Sequence, residues 1–215
     1  EKYAKWLYDK LTPEFVVEFG CNDGILLKSL SRLIPKSCGV DVSENITQIA
    51  RESGLDVLTG YFDETMAESI EHRLGQADVV TGSNAFAHNV KPEIILKAAK
   101  RILKADGHLC LEVMYAGDLL EMLQWDTLYH EHLTFYCLTT LSVLLKRYGF
   151  NVIEAERIPM HGGSLRVVAT QNLDKKPNKN VAEIMAYEKK KSMADPETWE
   201  TFGKNIGRKI DVVRD

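Results

Sequence analysis

The sequence predicts an α/β protein: a mostly parallel, twisted sheet with helices on both faces and an antiparallel strand at the end. Three observations predict it. Short apolar runs alternate with helix-spaced stripes at least five times before residue 115, which is the pattern of a parallel sheet covered by its own crossover helices. A glycine-bearing corner, Gly20 to Gly24, joins the first run to the next stripe. After residue 115 the alternation stops, and two β-rich runs flank a turn holding Pro159, Gly162 and Gly163.

Taken in order, Tyr3, Leu7 and Leu11 recur at helical spacing, and Pro13 ends that helix near Thr12. Phe15–Phe19 reads as a short buried strand cut by Gly20. Ile25, Leu26, Leu30 and Leu33 form a helical stripe that stops before Pro35. Cys38–Val42 is a second strand, Asn45–Ser53 a polar helix, and Val57-Leu58 a third strand before Gly60. A helix near Asp63–His72 precedes the strand Ala77–Thr81. Pro92 opens a helix with Ile94, Ile95, Ala98 and Ile102 on one face, since proline's missing N–H has no partner in a first turn. The turn Ala105-Asp106-Gly107 leads into the strand His108–Met114.

Beyond it, Asp118–Leu123 is a short helix, Trp125–Tyr136 a loop, and Leu138–Tyr148 a helix stopped by Gly149. Phe150–Ile158 and Ser164–Thr170 form an antiparallel hairpin expected at a sheet edge. Lys175–Asn180 is a lysine-rich linker. Pro196 then starts a helix whose stripe is Trp199, Phe202, Ile206, Ile210 and Val213. The expected division is a sheet domain over residues 1–172, with a linker and amphipathic helices over 173–215 that open a further domain or contact a subunit.

Composition narrows the functional classes. The 215 residues are 45% hydrophobic and 27% charged, ordinary values for a globular chain, with a net charge of -4. No basic footprint for nucleic acid follows from that balance, and no run approaches the roughly 18 apolar residues of a membrane span. Cys21, Cys38, Cys110 and Cys137 form no C-x-x-C pair, so reduced thiols in a cytoplasmic protein are expected rather than a zinc site.

The corner Glu18-Phe19-Gly20-Cys21-Asn22-Asp23-Gly24 lies at the ligand-bearing edge of such a sheet. A dinucleotide fingerprint needs a second glycine where this chain has Asn22, so a close pyrophosphate is disfavoured. Asp41 stands about 20 residues beyond Gly20, where a carboxylate accepts both ribose hydroxyls. A nucleoside held on an acid without a pyrophosphate fits S-adenosylmethionine. Glu18 adds a negative group near the ligand's cationic portion, directly or through loop amides. The plain alternative is a tight turn with Asp41 as a helix cap.

Tyr129-His130-Glu131-His132 places four proton-handling side chains in a row. In an extended loop they alternate sides; in a tight turn three converge. A hydrogen-bonded structural loop is the alternative. His88 follows the fourth strand at the same sheet edge, with Asn84 beside the expected ligand. In the segment 161–166, His161, Ser164 and Arg166 are candidates for an anionic or hydroxylated substrate, against the simpler reading of a hairpin turn. His72 and His108 read as structural or surface residues. H-E-H lacks the one-turn spacing of a helical zinc pair, so no metal is expected. Histidines beside a methyl donor suit methylation of carbon, because a C–H next to a carbonyl must lose its proton while an enolate oxygen is stabilised.

On EFGCNDG (18–24), NAFAH (84–88), YAGDLLE (115–121), YHEH (129–132) and HGGSLR (161–166), the chain resembles the S-adenosylmethionine-dependent sugar C-methyltransferases over about residues 1–170. The resemblance implies a Rossmann-like class I methyltransferase fold. It implies methyl transfer to a ring carbon beside the keto group of a nucleotide-linked deoxysugar. It also implies His132 as the base, Tyr129 and Glu131 in support, and His88 lining the site. Tyr129 or His88 would stabilise the enolate and Glu131 would orient a neighbour. Such proteins usually carry an N-terminal zinc module and a C-terminal αβ domain. The sequence from Glu1 holds no cysteine cluster, so the chain is expected to be a piece of a longer one. Two rival readings stay open: an O- or N-methyltransferase of another metabolite, and a non-catalytic cofactor-binding module.

Overall fold

A computed structural model describes residues 1–214, with side chains described through Ile210. Seven strands form one sheet: β1 (Phe15–Phe19), β2 (Lys36–Asp41), β3 (Val57–Thr59), β4 (Ala77–Ser83), β5 (Leu103–Met114), β6 (Asn151–Ile158) and β7 (Ser164–Thr170). Their order is β3-β2-β1-β4-β5-β7-β6. The strands β1 to β5 pair in parallel, and β7 runs antiparallel to both β5 and β6. All five residues of β1 are buried, as a central parallel strand covered on both faces requires.

Helices α1 (Lys2–Leu11), α2 (Ile25–Leu30) and α3 (Glu44–Glu52) cover one face. There Tyr3, Leu7, Leu30 and Ile34 pack on Val16, Val79, Cys110 and Val168. Helices α4 (Glu64–Leu74), α5 (Pro92–Ile102) and α7 (Leu138–Arg147) cover the other, with Ile70, Leu96, Ile102 and Leu141 on Val17, Val80, Leu109 and Val167. A short α6 (Ala116–Met122) follows β5. Near the C-terminus, α8 (Lys179–Lys190) joins the second face through Val181, and α9 (Pro196–Arg214) follows.

Two expectations are adjusted and a third holds. The hairpin joins the sheet edge as expected, with β7 pairing to β5 and β6 outermost. The 105–107 turn lies within β5, because Leu103 already pairs with Ala77 before the register breaks and resumes at Val79 opposite His108. The linker is shorter than its composition suggests, since Asn178 caps α8, its side chain accepting from the Val181 N–H. Trp199 and Phe202 of the C-terminal stripe stack edge to face; the Val213 side chain lies outside the described residues.

Strand order reverses between β1 and β4, so their carboxyl ends open a crevice where ligands bind in such sheets. The loops leaving them touch. Gly20 has φ +64°, and a Cβ there would stand 2.3 Å from the Ala85 Cβ, so only glycine lets the two loops approach.

Candidate active site

A cleft of about 980 Å³ opens at this crevice, lined by Gly20, Asn22, Asp41, Asn84 and His88. Asp41 ends β2, and its carboxylate is held by two backbone donors. The Asn22 N–H gives to Oδ2 and the Ser43 N–H to Oδ1, each at 3.0 Å. A carboxylate offers about four acceptor positions, so two remain for a pair of hydroxyls. Asn22 also turns the corner, with φ 51° and its Oδ1 accepting from the Asp23 N–H. Gly24 sits at the start of α2. Asn84 leaves β4 with φ 54°; its N–H donates to the Glu112 carbonyl, while its own Oδ1 is buried without a partner. An orphaned acceptor and a pinned carboxylate lining one cleft fit a ligand carrying both a diol and a donor group, as S-adenosylmethionine does.

Sequence reading missed the apolar walls, Val42 and Tyr61, which stand 55% and 73% exposed at the ends of β2 and β3. Beneath them Phe62 stacks on Phe19 with ring centroids 5.7 Å apart. The signal was present: two aromatics, Tyr61-Phe62, directly follow a strand at the ligand-bearing edge. Glu18, by contrast, does not line the cleft. Its side chain is buried on the α2 side, with Oε2 unpartnered. Burial, and next the Asp41 charge, push its carboxyl well above the usual range, while the Leu27 N–H works the other way.

The 129–132 segment comes to the same end of the sheet as the corner, in a tight turn closed by the His132 N–H on the Tyr129 carbonyl. His132 Nδ1 lies 2.8 Å from the Thr127 carbonyl oxygen. That oxygen only accepts, so Nδ1 carries the proton of the neutral ring. Nε2 is thereby left basic, 2.9 Å from the Tyr129 hydroxyl that donates to it. The His88 ring meets His132 edge-on at 5.2 Å. Burial, then the nearby His132, lowers the His88 pKa, which keeps this imidazole neutral near pH 7; Glu131 opposes the shift as a nearby charge.

The remaining candidates are placed differently. Glu131 makes no hydrogen bond to His132; it lies on the surface, 3.8 Å from the still more exposed His130, and Thr127 supplies the orienting contact instead. Arg166 is not available to an anionic substrate. It is paired with Glu112 and Glu156 at 2.6 Å and lies over the rings of Tyr3 and Trp6 on the α1 face. Ser164 is buried and donates to the Met160 carbonyl at 3.0 Å, closing the hairpin turn rather than facing substrate. His161 is exposed at the hairpin tip, in the left-handed region at φ 49°.

A family model described as "Methyltransferase domain" matches residues 2–155, and one described as "C-methyltransferase C-terminal domain" matches residues 159–214. The chain is 31% identical to the C-methyltransferase NovU of Streptomyces niveus over 203 residues, covering 94% of this chain and 48% of that protein. It is 28% identical to a ubiquinone biosynthesis O-methyltransferase of Cupriavidus pinatubonensis over 65% of this chain and 61% of that protein. The chain thus spans about half the length of the first relative and about three fifths of the second. Among solved structures, magnesium protoporphyrin IX methyltransferase (ChlM) from Synechocystis, with bound SAH, shares the fold at TM-score 0.61 and 16% identity, covering 80% of this chain and 81% of that one. With this fold, this corner and these matched segments, the chain belongs to the S-adenosylmethionine-dependent methyltransferase domain family, and residues 159–214 match the C-methyltransferase C-terminal domain model.

Proposed function

We propose that this domain methylates a carbon beside the keto group of a nucleotide-linked deoxysugar, using His132 to form an enolate. Asp41 would hold the ribose hydroxyls of the cofactor, Val42 and Tyr61 would flank its base, and Asn84 Oδ1 would accept from its amino end. The bound cofactor supplies an electrophilic methyl on a cationic sulfur, which becomes a neutral thioether.

The residues of the chain perform the rest. His132 Nε2 takes the proton of the C–H bond, and the bonding pair moves into an enolate whose charge rests on oxygen. Tyr129, released from Nε2, or the neutral His88 donates a hydrogen bond to that oxygen. With a methyl donor bound, the enolate carbon would take the methyl, and the proton on His132 would leave to solvent. The observation that carries this reading is the His132 Nδ1 contact with the Thr127 carbonyl, which leaves Nε2 toward Tyr129, with the His88 ring beside it at the same end of the sheet. The similarity to NovU and the C-methyltransferase C-terminal segment support carbon as the acceptor.

His132→Ala is expected to abolish turnover while S-adenosylmethionine affinity, measured by calorimetry, stays within a few fold. Wild-type-like turnover in that variant would remove His132 from the base role. The similarity to O-methyltransferases favours a second reading, transfer to oxygen. The two separate on solvent deuterium: with S-adenosylhomocysteine bound, a keto-sugar nucleotide exchanges its acidic C–H only on the carbon reading. We also place the chain in the reducing cytoplasm. Its four cysteines are buried and unpaired, and burial raises the thiols of Cys38, Cys110 and Cys137 to about 12. No helix among the described residues is long and apolar enough to cross a membrane.

A further inference from the structure

The segment 161–166 gives no substrate ligand from Ser164 or Arg166, yet its glycines are tightly constrained. Gly162 has φ +78°, and a Cβ there would stand 2.6 Å from the Gln124 Nε2. The reason for the close approach is a hydrogen bond: the Gln124 side chain donates to the Gly162 carbonyl at 2.7 Å. The hairpin tip is itself anchored, because the Tyr115 N–H donates to the Gly163 carbonyl at 3.2 Å.

From Gln124 the bonding continues toward the proposed base. The Gln124 main-chain carbonyl accepts from the Thr127 hydroxyl at 2.7 Å and from the Thr127 N–H at 3.2 Å. The Thr127 carbonyl accepts from the Tyr129 N–H at 3.2 Å and from His132 Nδ1–H at 2.8 Å, which occupies both of its lone pairs. Little apolar packing holds this segment. Trp125, Leu128, Tyr129 and Leu133 are all exposed, so hydrogen bonds are what define its shape.

We propose that Gln124 is a positioning residue: by clamping the hairpin tip through Gly162, it sets the Thr127 carbonyl that locks the His132 imidazole with Nε2 free. The consequence for catalysis rests on His132 being the base; the effect on the ring itself does not. Gln124 is not catalytic, since nothing places it against substrate.

The test uses the whole chain, with spectra taken without substrate and turnover measured separately on a keto-sugar nucleotide. Side-chain ¹⁵N–¹H spectra, with the His132 signals identified by their loss in His132→Asn, read its tautomer directly. The wild type is expected to show one tautomer, protonated at Nδ1. Gln124→Glu keeps the shape but removes the donor. Gly162→Ala breaks the same bond from the hairpin side. Both are expected to populate both tautomers and to lower kcat on the order of 10- to 100-fold, the effect of removing an outer partner of a functional imidazole. The KM for S-adenosylmethionine is expected to stay within about twofold, because the Asp41 corner is untouched. An unchanged His132 spectrum in either folded variant, or a wild-type ring protonated at Nε2, overturns the proposal. Loss of the single tautomer without loss of kcat keeps Gln124 as the clamp and instead counts against His132 as the base.

Discussion

The Arg166 guanidinium is taken up entirely inside the fold. Its Nε and NH2 face Glu112 and its NH1 faces Glu156, while the planar group lies 4.6 Å and 4.5 Å from the ring centroids of Tyr3 and Trp6. Glu112 in turn accepts from the Ser83 hydroxyl at 2.6 Å, so this ion pair reaches the wall of the cofactor cleft. Removing one member of a buried pair leaves the other charge uncompensated, at a cost of about 3–5 kcal/mol. Arg166→Met is therefore expected to lower the denaturant midpoint sharply, while S-adenosylmethionine affinity in the folded fraction changes little. Selective loss of acceptor binding at unchanged stability would return Arg166 to the substrate site. These residue roles were unevenly legible. The place of Asp41 at the cleft could be read because it depends on spacing within one βαβ unit. Arg166 could not, because its partners arrive from β5, β6 and α1. The tautomer of His132 is set by a backbone carbonyl, which leaves no mark in the sequence.

The same contrast holds for elements. Buried strands and amphipathic helices before residue 115 follow from hydrophobic period alone, and each appears within a few residues of where the pattern puts it. Placement of β7 between β5 and β6 depends on which strands pair, and no local pattern encodes that choice. The role of α8 was equally hidden, since its decisive residue is a glutamate facing inward. Glu188 is buried and accepts from the Thr139 N–H at 2.9 Å, and also from the Leu138 N–H and the Thr139 hydroxyl, both at 2.5 Å. Those backbone groups are the unpaired donors of the first turn of α7, so a helix late in the chain caps one packed on the sheet. Hydrogen bonds to a charged group contribute about 1.5–3 kcal/mol. Glu188→Ala is expected to lose stability of about that size in urea unfolding, with faster amide exchange at the start of α7. A change below about 0.5 kcal/mol would mean that water replaces the cap.

Across the whole molecule, pH dependence of stability follows from groups whose affinity for protons changes on folding. His88 and His108 are both lowered. Burial acts first in each, followed by His132 for the former and by Lys175 for the latter, whose Nζ lies 3.4 Å from the His108 Nε2. An unfolded histidine titrates near about 6.5, so below that value the unfolded chain binds more protons than the native one. Stability contributed by these two sites is therefore present above about pH 6.5 and is lost as the pH falls toward their folded values. Glu18 acts with the opposite sign, because its folded pKa is raised. Its contribution is complete below the unfolded value of about 4.3 and declines as the pH rises through its folded one. The two trends oppose one another between the unfolded values of about 4.3 and 6.5. His108→Gln separates them without touching the cleft. Melting temperatures measured from pH 5 to 7.5 are expected to rise with pH less steeply in this variant than in the wild type. An identical slope in the two proteins would mean that the ring gains its proton in the native state as readily as in the unfolded chain. The histidine part of the acid sensitivity would then rest on His88, beside the proposed base.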